Sequence, residues 1–158
     1  MSAMGEAAPH VLIVEARFYA DIADELVAGA TAVFDAAGVT YERAEVPGAL
    51  EIPAAVKFAV RSLDFHGARR RYDGYVVLGC VIRGETSHYD IVAGESARKL
   101  MDLAVDYTLA LGNGVLTCET REQAWERAAR DRKDKGGDAA RACLAMLGLK
   151  SGFHLYPR

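Results

Sequence analysis

The sequence predicts a single doubly wound α/β domain. Three observations carry that expectation: four short β-rich runs, a helical pattern after each of them, and no repeat, low-complexity tract or linker dividing the 158 residues. Regular βα alternation calls for a parallel sheet with right-handed crossovers and helices on both faces. A chain of this size buries roughly 68–70% of its unfolded surface, enough to fold without disulfides or metal. Apolar residues make up 51% and charged residues 26%, which argues against disorder. The domain is expected to span 1–158, with 1–9 a flexible N-terminal segment and 150–158 a C-terminal tail.

The elements follow in order. Val11–Val14 is a short β-branched run. From Ala20 to Ala37 the apolar positions Ile22, Leu26, Ala30, Val33 and Phe34 recur at helical spacing, and Gly38 ends the helix. Val39–Val46 reads as a second strand, broken by Pro47-Gly48. Leu50–Leu63 reads as a helix that tolerates Pro53 in its first turn, where the missing N–H has no helical partner. The segment His66–Tyr72, with Arg69, Arg70 and Arg71, is a solvated connection. Tyr75–Ile82 is apolar throughout and is expected to be a central strand covered on both faces. A polar loop, Arg83–Asp90, precedes a long helix, Ile91–Leu111. Gly112-Asn113-Gly114 is expected to stop that helix, with Val115–Cys118 the fourth strand. Glu122–Arg130 is a helix with Ala124, Trp125 and Ala128 inward. A charged turn, Asp131–Gly137, leads to a last helix, Asp138–Leu149.

Several function classes lose support. Net charge is −3 with pI about 5.8, so nothing points to nucleic acid or an anionic membrane surface. No apolar run approaches the roughly 18 residues of a membrane span, and the N-terminal residues lack a signal-peptide pattern. Three cysteines, Cys80, Cys118 and Cys143, form no C-x-x-C pair, so neither a zinc site nor a redox motif is visible. Cys80 and Cys118 fall in runs that read as buried strands, and free buried thiols suit a reducing cytoplasm. Phosphate-loop, dinucleotide, serine-hydrolase and zinc-protease signatures are all missing.

In open parallel sheets, ligands sit beyond the carboxyl ends of the strands. The segments expected there are polar and glycine-rich. Arg83-Gly-Glu-Thr-Ser-His-Tyr-Asp90 is the densest. Gly84 lets backbone approach a ligand, and Thr86 and Ser87 offer hydroxyls and N–H groups before a helix start, an arrangement suited to phosphate. His88 lies at the same place and exchanges protons near neutral pH. Glu51 sits at a strand-to-helix corner, where a first-turn carboxylate is also favourable in any protein. Phe18 is either a stacking platform or core. Arg127 and Lys135, taken alone, are surface cations. Two classes survive: an enzyme acting on a small phosphorylated substrate, or a binding module for a flat heterocycle. A histidine beside a phosphate cradle favours the first.

Four blocks then resemble a known family. Ala16-Arg-Phe18, Val46-Pro-Gly-Ala-Leu-Glu-Ile-Pro53, Leu78-Gly-Cys-Val-Ile-Arg-Gly-Glu-Thr-Ser-His-Tyr-Asp90 and Lys135-Gly136 resemble 6,7-dimethyl-8-ribityllumazine synthases, in order and from about residue 10 to 149. The resemblance implies a three-layer α/β/α sandwich with a flavodoxin-like four-stranded parallel sheet, assembled as a homopentamer or multiples of it. It implies condensation of 5-amino-6-(D-ribitylamino)uracil with L-3,4-dihydroxy-2-butanone 4-phosphate, giving the lumazine, phosphate and water, with no metal and no organic cofactor. It implies a cytoplasmic enzyme with two small-molecule substrates and a site shared between adjacent subunits.

The same resemblance implies roles. Phe18 would stack on the pyrimidine; Ala49, Leu50 and Glu51 would hold the ribityl chain. Backbone around Cys80, Val81 and Ile82 would pair with the uracil edge. Gly84, Glu85 and Thr86 would cradle phosphate, with Arg127 reaching in from a neighbour. Lys135 would sit near the pyrimidine carbonyls with Asp138 beside it, and His88 would move protons. Two features depart from the family's pattern. Asn113 stands where many members have an aromatic residue that contacts the neighbour's ligand, and Cys80 replaces a common threonine. The charged stretch Ala129–Asp134 is expected to disfavour sixty-subunit shells.

Overall fold

In the computed structural model the described residues are 8–66 and 72–155, the side chains of 63–66 aside. The basic connection Arg69–Arg71, most of the N-terminal segment and the last three residues lie outside them. The elements run β1 (His10–Ala16), α1 (Ala20–Ala37), β2 (Thr40–Val46), a 3-10 turn (Ala49–Glu51), α2 (Ile52–His66), β3 (Gly74–Ile82), α3 (His88–Asp106), β4 (Ala110–Cys118), α4 (Arg121–Ala128) and α5 (Lys135–Gly152).

The strands form one parallel sheet in the order β2-β1-β3-β4. Side chains alternate across it, as the two-residue period requires. From β1, Val11 and Ile13 enter a core with Ile22, Leu26 and Phe34 of α1, Ala124 of α4, and Ala140 and Cys143 of α5. Leu12, Val14 and Ala16 enter a second core with Ile52 and Val56 of α2 and Leu100 of α3. The result is the expected three-layer, flavodoxin-like α/β/α arrangement, with α1, α4 and α5 on one face and α2 and α3 on the other.

β1 and β3 are the two central strands, and their near-continuous burial follows from cover on both faces. β2 is an edge strand with charged Glu42, Arg43 and Glu45, a composition that resists pairing with other chains. α1 matches its expected span and ends at Gly38 in the left-handed conformation, φ 70°.

The largest correction concerns Gly112-Asn113-Gly114. These residues do not stop a helix. They lie inside β4, in register with Val76, Val77 and Leu78. The glycines serve close approach: a Cβ on Gly112 would fall 1.9 Å from the carbonyl oxygen of Ala139 in α5. α3 instead ends at Asp106, and the chain reverses through Thr108, a β-branched residue at φ 56°. The buried Lys150 holds that turn by donating from Nζ to the Thr108 carbonyl at 2.6 Å.

Smaller differences are of the same kind. α3 begins at His88, so the polar loop is shorter than expected. Leu50 and Glu51 occupy the 3-10 turn before α2. α5 starts at Lys135, because Asp134 caps it by accepting from the Gly137 N–H, and it continues through Gly152, into the expected tail. Trp125 is 42% exposed and does not point inward, whereas Ala124 and Ala128 are fully buried. Cys118 is buried as expected, but Cys80 only partly so.

Candidate active site

The chain leaves β1 for β2 on one side of the sheet and then crosses to β3 on the other. A crevice opens where the connections diverge, at the carboxyl ends of the strands. A cleft of about 430 Å³ lies there. It is lined by Phe18 and Tyr19 after β1, Pro47–Glu51 after β2, Cys80–Ile82 at the end of β3, and Gly84, Thr86, His88, Tyr89 and Val92 of the following loop and α3.

Strand lengths explain one wall. Pairing of β1 with β3 ends at Glu15 and Leu78, yet β3 continues to Ile82 beside β4. Cys80–Ile82 therefore carry backbone N–H and C=O groups on an edge that β1 does not pair with, and these residues line the cleft. Val81 packs into the α2/α3 core, while Cys80 and Ile82 pack against the α1/α4/α5 core. Cys80 thus offers the cleft its backbone rather than its sulfur. Burial, reinforced by the neighbouring Cys118, pushes its thiol up to about 12, so it stays protonated and is no nucleophile at neutral pH.

The opposite lip carries Phe18, 74% exposed, its ring edge-on to Tyr19 at 5.0 Å between centroids. The structure therefore decides between platform and core: Phe18 is not core. Glu51 ends the 3-10 turn, exposed, where the Glu51 N–H bonds the Gly48 carbonyl at 3.1 Å.

The loop from Arg83 to Ser87 delivers the chain into the amino end of α3. Gly84, Glu85 and Thr86 are exposed, and the Thr86 hydroxyl accepts from the His88 N–H at 3.3 Å. A 19-residue helix begins there, so its positive end faces whatever occupies the loop. Arg83 braces the loop. Its Nε donates to Glu119 at 2.7 Å, Nη1 lies 3.5 Å from Asp90, and its guanidinium covers the Tyr89 ring at 4.2 Å. That bracing was not legible from the sequence, because Glu119 comes from another strand end.

Nine of the cleft residues, namely Phe18, Ala49, Leu50, Glu51, Val81, Ile82, Gly84, Thr86 and His88, together with Cys80, were singled out from the sequence. Glu85 lies in the same loop without lining the cleft. Tyr19, Pro47, Gly48, Tyr89 and Val92 were not singled out as ligand-contacting; Tyr19, Gly48 and Tyr89 adjoin residues that were, Pro47 lies two before Ala49, and Val92 one helical turn after His88. Four others are not in this cleft: Asn113, Arg127, Lys135 and Asp138. Asn113 is exposed in mid-strand, where its side-chain oxygen accepts from the Val115 N–H at 2.9 Å. Arg127 donates to the Gln123 carbonyl at 3.1 Å within α4. Lys135 and Asp138 do sit together at 3.5 Å, at the start of α5. Among the described residues, no group of three His, Cys, Asp or Glu side chains is arranged to hold a metal, and no helix is long and apolar enough to cross a membrane.

A flavodoxin-like sheet whose switch-point crevice holds an exposed ring, a carboxylate, an open strand edge, an anion-suited loop and a histidine defines an α/β enzyme with a small-molecule site. The comparison with known proteins agrees. The model of the 6,7-dimethyl-8-ribityllumazine synthase family matches residues 8–151. The chain is 63% identical over 141 residues to 6,7-dimethyl-8-ribityllumazine synthase 1 of Rhizobium meliloti (strain 1021), covering 89% of this chain and 91% of that one. It is 59% identical over 142 residues to the synthase of Agrobacterium fabrum (strain C58), covering 90% and 95%. It is 53% identical over 145 residues to synthase 1 of Mesorhizobium japonicum, covering 92% and 87%. The chain belongs to the 6,7-dimethyl-8-ribityllumazine synthase family, transferases of riboflavin biosynthesis.

Proposed function

We propose that this cleft condenses 5-amino-6-(D-ribitylamino)uracil with L-3,4-dihydroxy-2-butanone 4-phosphate, releasing phosphate and water. The observation that carries the reading is the convergence of the uncovered β3 edge, Cys80–Ile82, with Phe18, Glu51 and His88 in one crevice. A flat pyrimidine with hydrogen-bonding edges fits between an aromatic ring and free backbone groups. Phe18 stacks on the ring, and backbone at Cys80, Val81 and Ile82 reads its edge. Ala49, Leu50 and Glu51 line the run of the ribityl chain, with the Glu51 carboxylate accepting from its hydroxyls.

The phosphate of the second substrate rests on Gly84, Glu85 and Thr86, where the α3 dipole favours negative charge. His88 follows two residues after Thr86 and moves the protons required by imine formation, phosphate elimination and ring closure. Holding both substrates side by side supplies much of the rate, since a bimolecular step becomes effectively unimolecular. Proton transfer by a placed group adds about 10²–10⁴-fold.

The working unit is a homopentamer. Its support is that the cations Arg127 and Lys135, with Asp138 beside Lys135, do not line the cleft of their own chain, which leaves them to serve a neighbour's. A guanidinium suits phosphate, being planar, bidentate and permanently charged. Asn113 would then face the neighbour's ligand with a hydrogen-bonding group and no ring. The charged segment Ala129–Asp134 favours pentamers over larger shells. Three free thiols suit a cytoplasmic setting.

Mixing the protein with both substrates and following lumazine absorbance and fluorescence tests the reading. Turnover well above the spontaneous reaction is expected, and His88→Ala should lower kcat about 10²-fold or more while leaving residual activity. Arg127→Ala should raise KM for the phosphorylated substrate and spare that for the pyrimidine. No turnover combined with tight flavin binding would instead identify a carrier.

A further inference from the structure

The reaction as described makes no use of one buried carboxylate. Glu15 lies one residue before the end of β1 and its side chain is wholly buried. Both of its oxygens are taken. Arg43 of β2 binds them as a fork, Nε to Oε2 at 2.7 Å and Nη2 to Oε1 at 2.8 Å. Arg17 donates from Nη1 to Oε1 at 2.9 Å. The other nitrogen of Arg17 reaches Asp24 in α1 and lies 3.5 Å from the Ala20 carbonyl. Arg17 is thus tied at once to the strand before it and the helix after it.

Between those two anchors lie Phe18 and Tyr19. Tyr19 is held from the far side as well: the Arg121 guanidinium lies 5.8 Å from its ring centroid, and Arg121 is paired with Asp21 at the start of α1. The Arg17 N–H also bonds the Val46 carbonyl at 3.4 Å, which fixes the loop against the end of β2. A buried charge is a poor way to gain stability, because apolar packing serves as well. What a bidentate, fully saturated carboxylate supplies is fixed geometry. Here that geometry is delivered one residue away from an exposed ring whose aromatic neighbour among the described residues is Tyr19.

We propose that Arg17, locked by Glu15 and Asp24, is a positioning residue for Phe18. The clamp keeps the β1–α1 loop in one conformation, so that the ring stands at the lip of the cleft before the pyrimidine arrives and the ordering is not charged to binding. Arg43 acts one step further out: it orients the Glu15 carboxylate that orients Arg17. The inference rests on the reading of Phe18 as the pyrimidine's stacking partner.

The test is a double-mutant cycle on the assembled enzyme, with KM for each substrate and the dissociation constant of the fluorescent lumazine product as readouts. Phe18→Ala should raise the pyrimidine KM about tenfold, the size of one good aromatic contact. Arg17→Met should raise it by a similar factor, with kcat and the KM for the butanone phosphate within about threefold of wild type. The double variant should be no worse than Phe18→Ala alone, because a free loop loses nothing more once the ring is gone. Arg17→Lys should recover only part of the loss, since a point charge cannot bridge both carboxylates.

Additive effects, or equal KM increases for both substrates, would overturn the clamp while leaving Phe18 its role. An unchanged pyrimidine KM in Phe18→Ala would reject Phe18 as the stacking partner, and the clamp with it. Melting curves on Arg17→Met and Arg17→Lys complete the test. If both unfold, the network serves folding and the proposal fails.

Discussion

The two helical layers of this sheet are finished to different degrees. On the α1/α4/α5 side, backbones are brought into contact: Cβ atoms on Gly112 and Gly136 would lie 1.9 Å and 2.0 Å from carbonyl oxygens of α5 and α1. α1 leaves no large apolar side chain exposed. On the α2/α3 side, Phe58 is 72% exposed, Met101 65% and Val105 70%, and a groove of about 520 Å³ runs between the helices past Pro53, Lys57 and Tyr107. Asn113 and Thr117 of β4 are exposed as well. The α1/α4/α5 layer exposes apolar side chains as well, at Trp125, Met146 and Leu149, but each is only about half exposed. The other carries a more exposed apolar stripe that the described residues leave uncovered, a stripe that the proposed pentamer would cover.

The largest effect should come from spoiling the unfinished layer. Val105→Glu places a carboxylate in the exposed stripe of α3. Light scattering should show loss of the proposed pentamer in favour of a folded species near 17.0 kDa, with activity lost if, as proposed, each cleft draws on its neighbour's Arg127. A pentamer that survives both Val105→Glu and Met101→Glu would mean that α3 is not at the interface.

Next in size is a matched pair of glycine substitutions. Gly112→Ala drives a methyl into the Ala139 carbonyl and should cost about 3 kcal/mol, the upper range for overpacking. Gly94 in α3 has nothing within 4 Å of its missing Cβ, so Gly94→Ala should gain roughly 0.5–1 kcal/mol from helix propensity. Urea midpoints measure both. Equal destabilisation at the two sites would remove the contrast between the layers.

That contrast also explains what the sequence could and could not reveal. Three of the four strands and all the helices of length are legible, because periodicity and capping are local signals: Ala20–Ala37 is bounded correctly by its stripe and by Gly38. β4 was misjudged at its start. Gly-Asn-Gly has the local appearance of a stop, and only the approach of α5, about 25 residues later in the chain, shows why small residues are needed inside a strand. Thr108 hid the real turn, since a β-branched residue with positive φ is a rare choice. The cleft was readable from one rule, that ligands gather at strand ends. The Glu15 clamp was not, because Arg43 meets Glu15 only after β1 and β2 pair in register.

Alkaline pH probes one group in each layer more gently, Cys143 in the α1/α4/α5 core and Tyr75 in the α2/α3 core. Burial raises the Cys143 thiol from 9.0 to about 12, and burial with nearby Tyr72 and Asp73 raises Tyr75 from 10.0 to about 12. Both groups are neutral when protonated, and the folded state keeps the proton longer than the unfolded one. Their contribution is therefore complete below about pH 9 and is lost as pH climbs toward 12, by up to about 1.4 kcal/mol per pH unit for each group. Stability measured from pH 7 to 11 should fall only above 9, and Cys143→Ala should flatten the first part of that fall. A slope unchanged by the substitution would show that the thiol opens to solvent in the folded protein.

The smallest effect belongs to the joint between one layer and the sheet. Thr108 carries the chain from α3 of the α2/α3 layer into β4 of the sheet, at φ 56°. A β-branched residue is strained there, by an amount on the order of 1 kcal/mol. The turn persists because the buried Lys150 ammonium binds its carbonyl, a backbone contact that any residue at the position would keep. Asparagine tolerates the left-handed conformation without glycine's gain of freedom in the unfolded chain. Thr108→Asn should therefore raise stability by up to about 1 kcal/mol, or about 2–4 °C in Tm for a chain of this length, with kcat and both KM values unchanged. Lys150→Met, which removes the contact, should lower Tm, and combining the two should show whether strain and clamp are independent. If Thr108→Asn gains nothing while Lys150→Met still loses, the ammonium alone holds the turn, and the strained residue at the joint carries no stored energy.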